Sequence, residues 1–165
     1  MKKIKFFVLF LFFYVPISFS NEVAFSKDIP SAKDIVLMAI KESKKSMHIA
    51  AYQFTEKEIL QAIIDQNKKG VDVSVILDKT QKNGDFQKML VKNKIKCKID
   101  AKHKIMHHKF IIIDENAVQT GSFNYTNNAV KFNAENAIYI SDKNIAKKYI
   151  DEFNKINDIA IDCKG

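Results

Sequence analysis

The chain contains one cluster of residues whose types and spacing suit chemistry on a phosphodiester. It runs His107-x-Lys109, then Asp114 after four residues, then Gly-Ser122-x-Asn124 after six more. A neutral imidazole is a competent nucleophile, while an ammonium, a hydroxyl and an amide can hold phosphate oxygens and offset their charge. The cluster therefore predicts attack on phosphorus without a metal ion or another cofactor. It occurs once, so one chain is predicted to hold half of a working site.

A strand is predicted to position the first part of this cluster. Residues 109–114 are predicted to be extended and to be followed by a turn and a second strand. Residues two apart on a strand share a face, so His107 and Lys109 are predicted to point the same way. Phe110 and Ile112 are predicted to point to the opposite side, into the core.

Strand-like and helix-like segments alternate through the rest of the chain, and the stop and start signals are clear at several of them. Ser31 is a predicted N-cap, and Thr55 with Glu58 three residues later is a predicted capping box. The alternation predicts an α/β fold in which helices cover both faces of a mixed β-sheet, an α-β-α sandwich. Predicted strands cover 23–26, 47–54, 71–77, 95–99, 109–114, 117–121 and 135–141; predicted helices cover 31–43, 55–69, 85–92, 124–130 and 143–157.

The first 20 residues carry the features of a secretory signal peptide. A lysine-rich start precedes an apolar run over 6–17, and Ser18-Phe19-Ser20 is a small-x-small cleavage signal. An uncleaved N-terminal anchor is the open alternative. The predicted organisation is a signal peptide over 1–20 and one domain over 21–165, located in the periplasm or secreted, without stable membrane insertion after cleavage.

Charge and cysteine content limit the partners and the compartment. The chain has a formal net charge of +8, and all of its basic residues are lysines. This favours an anionic partner such as nucleic acid or an acidic membrane, without guanidinium readout of bases. Lysines at 92, 94, 96 and 98 are predicted to share one strand face, either as a solvated edge or as a phosphate track. Whether Cys97 and Cys163 form a disulfide stays open.

The residues of the cluster resemble the phospholipase D superfamily signature, His-x-Lys-(x)4-Asp-(x)6-Gly-Ser-x-Asn, without a departure. The surrounding runs at 51–55, 118–126 and 133–136 are similar to those of the small secreted bacterial Nuc-type endonucleases. This resemblance covers essentially all of residues 21–165. It implies a homodimer in which two motifs meet across a twofold axis.

The same resemblance implies a role for each site residue. His107 of one subunit attacks phosphorus, and the partner subunit's His107 protonates the leaving oxygen; Lys109, Ser122 and Asn124 hold the phosphate. Two identical histidines in opposite protonation states predict a bell-shaped pH–rate profile. Glu135 is expected to hydrogen-bond His107 and fix its tautomer, with a solvated strand carboxylate as the alternative.

Two further expectations concern residues near the cluster. Strand parity puts Asp114 away from the face of His107, so it is expected to hold the following turn through side-chain hydrogen bonds to the backbone. His103, His107 and His108 lack a carboxylate or cysteine at a familiar ligand spacing, which argues against a metal site. Tyr52 is expected in the core or in the wall of the site.

The sequence thus predicts an exported, metal-independent endonuclease that hydrolyses DNA, and RNA as a further substrate, through a phosphohistidine. A phospholipase D that hydrolyses phospholipid head groups is the alternative enzyme, because the motif recognises the phosphodiester and not its substituents. A noncatalytic nucleic-acid-binding protein is the alternative from another class.

Overall fold

The computed structural model describes residues 21–164, and the predicted signal peptide lies outside that range. The described part is a mixed α/β fold built on one eight-stranded sheet, as predicted. Its strands are β1 (Glu22–Phe25), β2 (Ser46–Ala51), β3 (Asp72–Asp78), β4 (Lys96–Asp100), β5 (Lys109–Ile113), β6 (Ala117–Gly121), β7 (Asn136–Ile140) and β8 (Ile161–Asp162). Its helices are α1 (Ala32–Glu42), α2 (Lys57–Lys68), α3 (Asp85–Lys92), α4 (Asn127–Lys131) and α5 (Lys143–Ile159), with a 3-10 turn at Lys79–Gln81.

The strand order is β1-β7-β6-β5-β2-β3-β4-β8. β2, β3 and β4 are parallel and are joined through helices, whereas every other neighbouring pair is antiparallel. The carboxyl ends of the parallel strands therefore lie at one edge of the sheet, where loops can bring side chains together. The N-terminal end of β5 meets that edge, because β5 runs antiparallel to β2.

Both faces of the sheet are buried, which explains why the central strands are almost wholly apolar. All five residues of β5 are buried. Ile111 and Ile113 belong to a large core shared with α1 and α2. Phe110 and Ile112 belong to a smaller core on the other face, where Phe153 of α5 packs. The predicted placement of Phe110 and Ile112 in the core is confirmed, as are helices on both faces.

Helix caps agree with the sequence at α1 and disagree at α2. Ser31 caps α1 and forms a reciprocal capping box with Asp34. The prediction that Thr55 caps α2 is wrong, since the cap is Glu56, whose side chain accepts from the amide of Glu58. Both Thr55 and Glu56 donate their amides to the carbonyl of Tyr125, and this tertiary contact sets where the helix begins.

The predicted strip of four lysines on one strand face is also wrong. Lys92 ends α3, and Lys94 has a positive φ of 57° in the turn that follows. Lys96 and Lys98 do lie on β4, but Lys96 pairs with Asp72 at 2.7 Å and Lys98 donates to the carbonyl of Asn157 at 2.9 Å. Neither an open edge nor a phosphate track results.

The cysteine question is resolved by the structure. Cys97 and Cys163 form a disulfide, and the Cys163 amide donates to the Cys97 carbonyl at 2.9 Å. The bond anchors the chain after α5 to β4, next to the two-residue strand β8, which the sequence did not predict. Among residues 21–164, none of the helices combines the length and apolar content that a membrane span requires.

Candidate active site

The imidazole of His107 and the ammonium of Lys109 lie side by side at the N-terminal end of β5. The Nζ atom of Lys109 is 3.0 Å from both ring nitrogens of His107 and 2.7 Å from its backbone carbonyl oxygen. The two side chains therefore point the same way, as the strand periodicity predicts. His107 is exposed whereas Lys109 is buried. The nucleophile is therefore accessible to a ligand, while the surrounding side chains hold the cation in place.

Tyr52 forms one wall of this site. It follows β2, and its amide donates to the carbonyl of His108 at 2.9 Å, which joins the end of β2 to the segment that leads into β5. Its ring centroid lies 4.5 Å from that of His107 and 5.2 Å from the Nζ atom of Lys109. The Tyr52 ring thus restricts the rotation of the His107 imidazole and makes a cation–π contact with the ammonium of Lys109.

The Gly-Ser part of the motif lies where β6 passes close to β7. Gly121 has a φ of +147°, and a Cβ at that position would overlap the backbone carbonyl of Asn136. Only glycine allows this approach. The approach places Ser122 against the start of β7, where its hydroxyl accepts from the amide of Asn136 at 3.1 Å.

Glu135 is in the site, but its hydrogen-bond partners differ from the expected one. Its carboxylate accepts from the Ser122 hydroxyl at 2.6 Å and from the Asn133 amide at 2.9 Å. Those contacts replace the expected hydrogen bond to His107. The charge of Glu135 still acts on the site, because it raises the pKa of Lys109 and so opposes the effect of burial.

Asn124 carries a buried acceptor without a partner. Within residues 21–164 its Oδ1 atom is the one buried side-chain nitrogen or oxygen that has no hydrogen-bond partner. Such atoms are rare because they cost free energy, and they occur at functional sites. Rotation of the amide by half a turn would present its Nδ2 donors at the same place. A phosphate oxygen is the kind of acceptor that those donors would bind.

The electrostatics of the pair favour a neutral imidazole. Loss of solvation lowers the pKa of His107, and the nearby ammonium of Lys109 lowers it further. Burial also lowers the pKa of Lys109, with Glu135 acting in the opposite direction. A neutral imidazole at neutral pH has a free nitrogen lone pair, which nucleophilic attack on phosphorus requires.

Asp114 lies at the opposite end of β5, about 17 Å from Lys109 at the usual rise per residue. Its carboxylate accepts from the backbone amides of Lys44, Lys45 and Ser46 at 2.7–3.1 Å. The predicted structural role therefore fits, but the predicted target does not. Asp114 holds the loop between α1 and β2 and not the turn that follows it.

Two aspartates that the sequence analysis does not single out position the loop before β5. Asp78 and Asp100 end the parallel strands β3 and β4 and are fully buried. Asp78 accepts from the amide of Met106 at 2.8 Å, and Asp100 from the His103 ring at 2.6 Å. Together they fix the loop between β4 and β5, which contains His107. The signal was available, because each ends an apolar strand at the carboxyl edge of the sheet.

Comparison with known proteins agrees with this geometry. The family profile described as "Cardiolipin synthase, PLD-like domain" matches residues 36–157. The chain belongs to the phospholipase D-like family. The phospholipase D of Rickettsia prowazekii is 37% identical over 136 residues, which are 81% of this chain and 66% of that protein. The human mitochondrial cardiolipin hydrolase is 30% identical over 123 residues, 73% of this chain and 49% of the relative.

The chain thus spans between about half and two thirds of these curated relatives. Two solved structures match over nearly their whole length. Nuc from Salmonella typhimurium, a phospholipase D family member, superposes with a TM-score of 0.83 and 30% identity over 88% of this chain and 99% of that one. NucT from Helicobacter pylori gives a TM-score of 0.74 at 23% identity, which supports the fold. The predicted family, with Nuc-type relatives, is confirmed.

Proposed function

We propose that this protein is a metal-independent phosphodiesterase that acts as a sequence-nonspecific endonuclease on DNA, with RNA as a further substrate. The observation that carries the proposal is the exposed imidazole of His107 with the ammonium of Lys109 3.0 Å from its ring nitrogens. This arrangement supplies a nucleophile and a cation at one point. A phosphate group that enters would take the ammonium from the ring and release the imidazole for attack.

The proposed reaction has two displacements. A ring nitrogen of His107 forms a bond to phosphorus as the bond to the leaving oxygen breaks, and the partner subunit's His107 gives a proton to that oxygen. The same second histidine then takes a proton from water, whose oxygen bonds to phosphorus while the bond to the first histidine breaks. Lys109, Ser122 and Asn124 hold the nonbridging oxygens through both steps.

The proposed homodimer follows from the single motif. One exposed His107 can be a nucleophile or a general acid, and it cannot be both in one step. A twofold axis brings a residue against its own symmetry mate, which supplies the second histidine. Mixing wild type with excess His107→Ala chains under refolding conditions tests this. Paired histidines predict that activity falls faster than the fraction of wild-type chains, and strict proportionality would contradict them.

Nuc-type relatives favour nucleic acid as the substrate, because the match covers 99% of Nuc and 30% of aligned residues are identical. The net charge of +8 suits a polyanion. Phospholipid hydrolysis is the second candidate, since the curated relative from Rickettsia prowazekii is named phospholipase D. Export remains a proposal, which the Cys97–Cys163 disulfide supports because such bonds persist in oxidising compartments.

Parallel assays with EDTA present would test the proposal on plasmid DNA, RNA and phosphatidylcholine vesicles. We expect nucleic acid cleavage that is abolished by His107→Ala and retained by His108→Ala. His108 is a matched control, because its ring packs near Phe110 and Glu152 on the other side of the strand. Head-group release with intact nucleic acid would replace the first candidate by the second. Unchanged cleavage by His107→Ala would refute the catalytic role of this residue.

A further inference from the structure

A groove open to solvent lies beside the site, and the proposed chemistry does not use it. Residues 25–28, at the end of β1 and just after it, form one wall, and residues 132–136, from the end of α4 to the first residue of β7, form the other. Phe25 exposes 56% of its surface and Phe132 exposes 77%. Within residues 21–164, neither ring packs against another aromatic ring. Two exposed phenyl rings in one groove mark a binding surface.

Hydrogen bonds between the two walls fix the shape of the groove. The Ser26 amide donates to the Glu135 carbonyl at 3.0 Å, and the Glu135 amide donates to the Ser26 hydroxyl at 2.7 Å. The Nζ atom of Lys27 reaches the carbonyl of Lys131 at 3.2 Å. Because these contacts fix both walls, the surface exists before a ligand arrives and little ordering would oppose binding.

One residue connects the groove to the phosphate site. Glu135 lines the groove, and its carboxylate accepts from the hydroxyl of Ser122 at 2.6 Å. A phosphodiester held by Ser122 would therefore place its next substituent at the mouth of the groove. The residues that line the groove then indicate which kind of substituent it would bind.

We propose that this groove is a subsite for an unpaired nucleobase next to the scissile phosphate, stacked on Phe132 and Phe25. The proposal rests on the proposed nuclease function and adds a ligand site to it. A base has apolar faces and a polar edge, and the groove offers phenyl rings together with the polar groups of Asp28 and Asn133. Lys27 stands at the groove with a positive charge for the neighbouring phosphate.

The same lining disfavours a lipid. An acyl chain has no polar edge that could pair with Asp28 or Asn133, whereas a base has one. The subsite also discriminates between nucleic acids. A base inside a duplex keeps both faces stacked on its neighbours, so it can enter the groove only after leaving the helix. Single strands are therefore expected to gain affinity from the subsite, whereas duplexes gain none.

The test measures binding in a His107→Ala background, so that the probe stays intact. The probes are a fluorescent single-stranded oligothymidylate and the same backbone with abasic residues, followed by anisotropy. We expect Phe132→Ala to weaken oligothymidylate binding about 5- to 150-fold, the range for the loss of one stacked base. Binding of the abasic probe should stay within about twofold, since it has no base to stack.

Two control variants separate stacking from other effects. Phe132→Tyr should restore binding because it restores the aromatic face, whereas Phe132→Leu should not. Ile159→Ala removes an exposed apolar side chain at the end of α5 and should change neither probe. Equal weakening of both probes by Phe132→Ala, or of neither, would overturn the subsite.

Three further measurements decide against other occupants of the groove and keep the two proposals separate. Loss of binding to phosphatidylcholine–phosphatidylglycerol vesicles by Phe132→Ala, with oligothymidylate binding unchanged, would overturn the proposal in favour of a lipid surface. Dissociation of a dimer by Phe132→Ala in sedimentation would overturn it in favour of a subunit interface. Nicking of duplex plasmid by the wild-type chain, with His107→Ala as the inactive control, tests the nuclease function alone, because it depends on no substitution in the groove.

Discussion

The two ends of β5 carry two parts of one signature and show opposite physical properties. At the N-terminal end, His107 is exposed and its ring is contacted by the ammonium of a buried lysine. At the C-terminal end, Asp114 accepts from three consecutive backbone amides. The first end keeps groups ready for a ligand, whereas the second uses its charge within the fold. A short sequence motif can therefore encode a reactive site and the anchor that supports it.

The backbone at the C-terminal end of β5 suits the structural role of Asp114. Asp114 and Glu115 have positive φ values of 50° and 59°, which a turn with two left-handed residues requires. Such residues cost conformational free energy unless other contacts hold them. Here Asp114 itself is held, because its carboxylate accepts from the loop that leads into β2 and its amide donates to the carbonyl of Ser46. Since β2 pairs with β5, the anchor also sets the register of the strand that carries Lys109.

The largest expected effect is at the reactive end. His107→Ala should lower the rate of phosphodiester hydrolysis by about 10⁴-fold or more, because removal of a nucleophile eliminates the covalent route. The free energy of unfolding in urea should change by less than about 0.5 kcal/mol, as for other exposed side chains. A variant with lower stability and residual fast turnover would mean that His107 serves the fold.

The second effect is at the anchored end and should have the opposite pattern. Asp114→Ala should lower the free energy of unfolding by about 2–4 kcal/mol, because charge-assisted hydrogen bonds to three amides are lost. Asp114→Asn keeps a side chain that tolerates positive φ and should lose less. Activity per folded molecule, measured well below the melting temperature, should stay within about tenfold. A loss of activity near that of His107→Ala, with normal stability, would show a direct catalytic role for Asp114.

A third prediction concerns the electrostatic coupling of His107 and Lys109. The ammonium lowers the pKa of His107, so Lys109→Met should raise that pKa. Because the nucleophile must be neutral, the acidic limb of the pH–rate profile should move to higher pH. Single-turnover rates across pH 4–8 measure this limb separately from the overall loss of rate. Lys147→Met, at an exposed position on α5, should leave the limb in place, and an unmoved limb in Lys109→Met would refute the coupling.

The sequence predicts what depends on local pattern and misses what depends on distant contacts. Strand periodicity is enough to put His107 and Lys109 on one side, and apolar runs are enough to predict the sheet and its helices. Asp114 shows the limit. Its parity indicates that it leaves the catalytic face, but its partners Lys44 and Lys45 are about 70 residues earlier and come near only through the pairing of β2 with β5.

Other differences have the same origin. The capping box at Thr55 is locally convincing, yet the carbonyl of Tyr125 takes the amides of Thr55 and Glu56 and shifts the start of α2. β8 has two residues and no periodicity, and it exists because the disulfide and β4 hold it. Family resemblance predicts Glu135 in the site, but its contact with Ser122 depends on the packing of β6 against β7 at Gly121.

The smallest expected effect concerns His48, a structural histidine, and the dependence of stability on pH. His48 of β2 is half-buried against α5, with Nδ1 2.6 Å from the Ser74 hydroxyl and its ring 5.1 Å from that of Phe153. Burial lowers the pKa of His48, and Lys96 acts in the same direction against the opposing charges of Glu115 and Asp72. The folded state therefore favours the neutral ring.

A lowered pKa in the folded state means that the unfolded chain binds the proton more readily. The contribution of His48 to stability is therefore complete above the unfolded pKa of about 6.5 and declines as the pH falls below it. His48→Gln retains a hydrogen-bonding side chain and should flatten this part of the stability–pH curve. The change in the free energy of unfolding should be smaller than the loss in Asp114→Ala. The acidic limb of the pH–rate profile should not move, because His107 sets it. His108→Gln is the exposed control. If His48→Gln moved the rate profile and left the stability curve unchanged, the division between a reactive His107 and a structural His48 would be reversed.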